Sequence, residues 1–144
     1  MTDESFDAQL TWVQGMQFVG RGAAPGPTIV FDADPSVGGS NCGIRPMSAL
    51  YNALAACSAM DVISILKKKR QRVTGFYVNV HTTRAEEYPK RLLKAELEYV
   101  VRGYDVAPDA VARSIELSLT KYCSVTASLS AEVTSTFRIE QETD

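Results

Sequence analysis

The chain has 144 residues, 45% of them hydrophobic and 22% charged, the proportions of a soluble globular protein, and that length suits one domain spanning residues 1–144. A formal net charge of -2 offers no electrostatic basis for binding nucleic acid or an anionic membrane surface. Three cysteines are too few for a disulfide scaffold, and an odd number leaves at least one thiol unpaired within the chain.

The start, Met1-Thr2-Asp3-Glu4-Ser5, is acidic and polar, without the basic opening or apolar core of a signal peptide. A cytoplasmic, reducing location is expected, where a cysteine pair is more often chemical than structural. Residues 8–19 alternate in part, with Ala8, Leu10 and Trp12 on one face and Gln9, Thr11 and Val13 on the other, which predicts a strand. Gly20 to Pro27 is a turn-rich connection, and Thr28-Ile29-Val30-Phe31 a second strand, so the N-terminus reads as a β-hairpin. Residues 32–45 read as an irregular loop.

Pro46 suits the first turn of a helix, where its missing N–H is not needed. The helix is expected to reach Gln71, a length of ~38 Å at 1.5 Å per residue. Its apolar residues (Met47, Leu50, Tyr51, Leu54, Met60, Val62) occupy nearly every face, so it must be covered all round. One small domain does that with difficulty, and the cover is expected from a second subunit. The length also suits a membrane span. Ser48, Asn52, Ser58, Asp61 and Ser64 argue against one, because an aspartate in hydrocarbon costs about 3 kcal/mol even on the permissive insertion scale. No membrane association is expected.

Residues 73–83 and 92–102 alternate again; the second run sets Leu93, Ala95, Leu97, Tyr99 and Val101 against Lys94, Glu96, Glu98 and Arg102. Pro108 opens a second helix with Val111, Ile115, Leu119 and Tyr122 along one stripe, and residues 131–140 form a last strand. The order β-β-α-β-β-α-β is α+β, with mainly antiparallel pairing.

Cys57 lies mid-helix and Cys123 just past the second helix, and neither has the C-x-x-C spacing of a zinc or thioredoxin site. No metal or cofactor is expected. The bland alternative for Cys57 is a small core hydrophobe. Cys42 precedes the helix and Cys57 lies about eleven residues inside it, roughly 16 Å along the axis, so direct pairing is not expected and Cys42 is read as incidental. His81, the one histidine, sits on a polar-alternating strand and reads as solvated. The Lys67–Arg72 run fits a helix C-terminus better than nucleic acid. Asp61 lies one turn after Cys57 on the same face, where a carboxylate disfavours the thiolate unless a cation neutralises it. The Gly38–Gly43 segment lacks the Lys-Ser/Thr of a phosphate loop.

The stretch Gly38-Gly39-Ser40-Asn41-Cys42-Gly43-Ile44-Arg45-Pro46-Met47, the alanine-rich helix with Cys57, its Asp61–Gln71 end, and Lys121-Tyr122-Cys123-Ser124-Val125 together resemble the OsmC/Ohr family. This is the family of osmotically inducible protein C and organic hydroperoxide resistance proteins; the chain is most similar to its YhfA-like branch, over about residues 8–140. The resemblance implies an intertwined homodimer, with a long central buried helix in each subunit, an antiparallel sheet carrying a second helix, and two active sites at the interface. It implies a thiol-dependent peroxidase for organic hydroperoxides, in which Cys57 attacks the peroxide, Cys123 resolves the product as a disulfide and a dithiol reductant restores both. Arg21, in the N-terminal turn, takes the position of the family's arginine. The hydroperoxide-resistance branch carries a glutamate ten residues before the first cysteine, where this chain has Met47. That departure keeps a second reading in view: a non-enzymatic dimer of the same fold, binding a small apolar or thiol-reactive ligand.

Overall fold

The computed structural model describes residues 5–144. They form two compact units, one up to Leu50 and one from Tyr51, with the division inside the first long helix.

The first unit is a three-stranded antiparallel meander of β1 (Ala8–Gln14), β2 (Gln17–Gly22) and β3 (Thr28–Phe31). The single strand expected over 8–19 is two strands. Gly15 takes a left-handed φ of 51°, which lets the chain reverse between Gln14 and Gln17, and Trp12 Nε1 donates to the Gly15 carbonyl at 2.8 Å. Residues 20–22, expected in the connection, continue β2, so Arg21 is a strand residue between Gln9 and Thr28.

The loop after β3 is built around one carboxylate. Asp32 is buried and accepts backbone N–H bonds from Ala33 (2.7 Å), Cys42 (3.0 Å) and Ser40 (3.3 Å). These donors, Ala33 first, hold its carboxyl below the ordinary aspartate range. A Cβ at Gly39 would lie 1.9 Å from the Ala33 carbonyl oxygen, and one at Gly43 2.5 Å from that of Val30, so both positions require glycine. Arg45 donates to Asn41 Oδ1 at 2.6 Å. The Gly38–Arg45 motif thus folds the chain tightly ahead of the helix. The depressed carboxyl has a consequence for acid stability: its contribution is present above the ordinary aspartate pKa of about 3.9 and is lost as pH falls through the lower folded value. Asp32→Asn is therefore expected to melt below wild type at neutral pH, with the gap closing as the medium is acidified below about pH 4. Thermal melts by circular dichroism test this; a gap independent of pH would contradict it.

Helix α1 (Pro46–Lys68) starts at Pro46 as expected and stops three residues before Gln71, with Lys67 and Lys68 in its last turn. Arg70 turns the chain with a φ of 57°. The second unit adds β4 (Arg72–Arg84), β5 (Leu92–Tyr104), α2 (Pro108–Leu117), one π-helical turn (Ser118–Tyr122), the short helix α3 (Ser124–Ser128) and β6 (Glu132–Gln141). Within one chain α1 buries a single stripe, Leu54, Ala55, Ser58, Val62 and Leu66, and not every face. Met60, on another face, is 69% exposed. By length and composition α1 could also span a membrane.

Strand β5 is central, in the order β4-β5-β6. Its buried Ala95, Leu97, Tyr99 and Val101 follow the expected alternation. Leu93 is exposed and Leu92 buried instead, because a register shift at Thr83/Arg84 switches the faces there. β4 and β5 are antiparallel, but β6 runs parallel to β5 and departs from the antiparallel expectation. The reason is the α2–α3 connection, which is long enough to carry the chain back to the same end of the sheet. Arg102 and Glu140 pair across that parallel register at 2.8 Å.

The α2 stripe holds at Val111 and Ile115 and then breaks, with Tyr122 exposed. Ser118, one turn past the buried Ser114 and Ile115, stays on the buried side as the first residue of the π turn.

Candidate functional site

Cys57 is half-buried on α1, and Cys123 is 4% exposed between the π turn and α3; both are free thiols. Cys123 caps α3: its sulfur accepts the Thr126 N–H at 3.4 Å. The Thr126 hydroxyl is buried with no protein partner. The Cys123 N–H donates to the Ser118 carbonyl at 2.7 Å, which closes the π turn.

Between the two cysteine segments runs a buried chain of hydroxyls. Tyr99 of β5 and Ser58 of α1 lie 2.5 Å apart, Ser58 and Ser118 2.8 Å apart, and Ser118 donates to Asp61 Oδ2 at 2.9 Å. A longer contact of 3.4 Å joins the Ser118 hydroxyl to the Ser58 carbonyl. Each of these residues has a local reason for its place. Ser58 is the α1 stripe residue one turn past Leu54, Ser118 continues the buried α2 face one turn past Ser114, and Tyr99 stacks on Phe76 with ring centroids 6.3 Å apart. Three polar side chains at core positions are tolerated because each is hydrogen-bonded. Burial pushes the Tyr99 hydroxyl up to about 12; the Ser58 bond lowers it, and the nearby Cys123 and Asp61 raise it. Tyr99 is therefore neutral throughout the physiological range. Asp61 also lines a cavity of about 340 Å³ with Ser64, Ile65, Lys68, Leu117 and Tyr122.

Arg21 belongs to the first unit. Its Nε donates to Gln9 Oε1 at 3.2 Å, and its guanidinium lies 4.6 Å from the centre of the Phe6 ring. It borders a mostly apolar groove of about 580 Å³ on the meander, with Leu10, Pro27, Ile29 and Phe31. Of the other residues singled out above, Cys42 is exposed, with its thiol on the Ser40 carbonyl at 3.3 Å, and His81 is exposed on β4. Among the described residues, no group of three or more His, Cys, Asp or Glu side chains is placed to hold a metal ion.

The structure thus joins the segments of Cys57 and Cys123 through Ser58 and Ser118. Tyr99, Ser58 and Ser118 were not among the site residues expected from the sequence. The signal available for Ser58 was a polar residue at the i+4 position of a stripe that is otherwise apolar.

The OsmC-like protein family model matches residues 38–138. Protein YhfA of Escherichia coli (strain K12) is 37% identical over 133 residues, which span 92% of this chain and 96% of that protein. A hypothetical protein from Aquifex aeolicus VF5 superposes with a TM-score of 0.82 at 28% identity, over 97% of this chain and 99% of the other. An organic hydroperoxide resistance protein from Elizabethkingia anophelis shares the fold with a TM-score of 0.63 at 13% identity, over 98% and 99% of the two chains. A family match of this extent, together with a relative of this identity over nearly the whole chain, makes the protein a member of the OsmC-like family.

Proposed function

We propose that this protein is a thiol-dependent peroxidase that reduces organic hydroperoxides, acting as a homodimer in a reducing cytoplasm. The observation that carries the reading is the hydroxyl chain tying the Cys57 helix to the π turn that closes on Cys123. A redox role also agrees with the organic hydroperoxide resistance proteins that share the fold.

The chemistry balances as follows. The Cys57 thiolate attacks one peroxide oxygen, the O–O bond breaks, and the alkoxide takes up a proton and leaves as an alcohol. Cys57 is left as a sulfenic acid. Cys123 then attacks the sulfenic sulfur, hydroxide leaves and is protonated to water, and the two residues form a disulfide. An external dithiol reduces that disulfide. Wild-type protein given one equivalent of cumene hydroperoxide is expected to lose two hydrogens by intact mass, with the link mapped to Cys57 and Cys123. Protein that shows neither this link nor oxidation at Cys57 would overturn the reading.

Arg21 is the proposed cation for the Cys57 thiolate, because a mid-helix cysteine receives no help from a helix N-terminus. In a Cys42→Ser background, Arg21→Ala is expected to slow iodoacetamide labelling of Cys57 at neutral pH about tenfold, the effect of one unit in thiol acidity. Unchanged labelling would remove Arg21 from the site.

The apolar groove beside Arg21 favours a second reading, a small-ligand-binding dimer without turnover. That reading predicts peroxide-inert thiols, so the same mass measurement decides between the two.

A further inference from the structure

The cavity beside Asp61 holds charges of both signs that do not meet. Asp61 and Lys68 both line it, from one face of α1. Seven positions separate them, two helical turns or ~10.5 Å along the axis at 1.5 Å per residue. That is beyond the one-turn reach at which helix ion pairs form. Among the described residues neither Asp61 nor Lys68 belongs to an ion pair. Asp61 Oδ2 receives the Ser118 hydroxyl at 2.9 Å, which holds the carboxylate in place, and no other described group donates to it. The wall between the two charges carries the Ser64 and Tyr122 hydroxyls with the apolar Ile65 and Leu117. The volume of about 340 Å³ is that of a small-molecule cleft. Lys121, over the Tyr122 ring at 5.2 Å, adds a second cation near the Tyr122 wall.

We propose that this cavity binds a small zwitterion, with its ammonium on Asp61 and its carboxylate on Lys68. Two charge-assisted contacts of ~2.8 Å take up part of the ~10.5 Å between the anchors and leave ~5 Å between the ligand's own charges. That separation belongs to γ-amino acids and dipeptides, whereas an α-amino acid is too short to touch both anchors. A ligand with one charge gains one contact and leaves the other anchor in water, so the pair of anchors selects for both charges at once. Ile65 and Leu117 suit the carbon chain that joins them. Binding involves no covalent step and does not depend on the two-cysteine reading. The occupant bridges α1, one turn past Cys57, and the π turn that leads to Cys123.

The test titrates the full-length, pre-reduced protein with 4-aminobutyrate and follows backbone amide shifts by NMR. Glycine is the short zwitterion for comparison, and butylamine and butyrate are the single-charge probes. In wild type, 4-aminobutyrate is expected to give saturable shifts at Ser64, Ile65, Leu117 and Tyr122 at millimolar concentration. The other three probes are expected to bind at least about fivefold more weakly, the upper range for one exposed charge pair. Asp61→Asn keeps an acceptor for the Ser118 hydroxyl and removes the charge; Lys68→Gln removes the opposite charge at an exposed position. Each is expected to weaken 4-aminobutyrate about fivefold. The single-charge probes separate the two anchors: Asp61→Asn should weaken butylamine and not butyrate, and Lys68→Gln butyrate and not butylamine. A merely structural role for either residue would move both probes alike. Absence of saturable shifts at the cavity, equal affinity for 4-aminobutyrate and a single-charge probe, or unchanged binding in either folded variant overturns the site. If Asp61→Asn fails to fold, the wild-type probe series and Lys68→Gln decide. None of these outcomes bears on whether Cys57 and Cys123 react with peroxide.

Discussion

Cys57→Ser is expected to abolish turnover of cumene hydroperoxide with a dithiol reductant, whereas Cys123→Ser keeps the first oxidation and loses the second step. The reason is the order of events. Only the residue that meets peroxide first needs to become a thiolate unaided, and serine at that position is not nucleophilic enough to replace it. The loss is expected to be complete within detection. Cys123→Ser leaves the Cys57 sulfenic acid without a resolving thiol, so one added oxygen, and then two, should collect at Cys57. The geometry sharpens this second outcome. Cys123 also caps α3 through its sulfur, and serine is a good cap, so the variant should keep its fold while losing its chemistry. Replacing Cys42 should alter neither result, since its thiol is occupied by its own loop at the Ser40 carbonyl. The decisive measurement is intact mass combined with peptide mapping. Oxygen found on Cys123 first would reverse the assigned roles, and turnover by Cys57→Ser would end them.

What the amino-acid order made legible was whatever depends on local rules. Pro46 and Pro108 mark the two helix starts correctly because proline's fixed φ and missing N–H suit only the first turn. The alternation of Ala95, Leu97, Tyr99 and Val101 was legible because period two has one structural meaning when one face is buried. What was lost depends on partners distant in sequence. The Gly15 reversal was hidden inside a run whose apolar residues alternate on both sides of it. The parallel pairing of β6 is set by where a long connection delivers the chain, which no residue of β6 records. The π turn at Ser118–Tyr122 has no signature of its own. For the candidate site, Cys57 and Cys123 were singled out through the motifs around them. The hydroxyl chain was not, because Tyr99, Ser58, Ser118 and Asp61 come from β5, α1 and the π turn, and only the fold brings them together. Arg21 was expected on a turn and lies on a strand.

Met60→Asp is expected to dissociate the proposed homodimer or to prevent its folding. Met60 lies on α1 between Cys57 and Val62 but outside the buried stripe, and it is 69% exposed in the single chain. Fully covering a methionine side chain is worth about 1.5–3 kcal/mol, and an uncovered apolar face on a helix this long is costly to leave in water. If a second copy supplies the cover, an aspartate at Met60 must be dried at the interface. Such a charge costs several kcal/mol or keeps the surfaces apart. Wild type should therefore sediment at twice 15.7 kDa at micromolar concentration, and Met60→Asp at 15.7 kDa or as unfolded chain. Both the peroxidase reading and the ligand-binding reading place their site at this interface, so catalysis and binding should be lost together with the dimer. A folded wild-type monomer at that concentration would remove the interface from both readings. A Met60→Asp dimer indistinguishable from wild type would show that the second copy covers some other face, and the exposed Trp12 (62%) on β1 is then the next surface to charge.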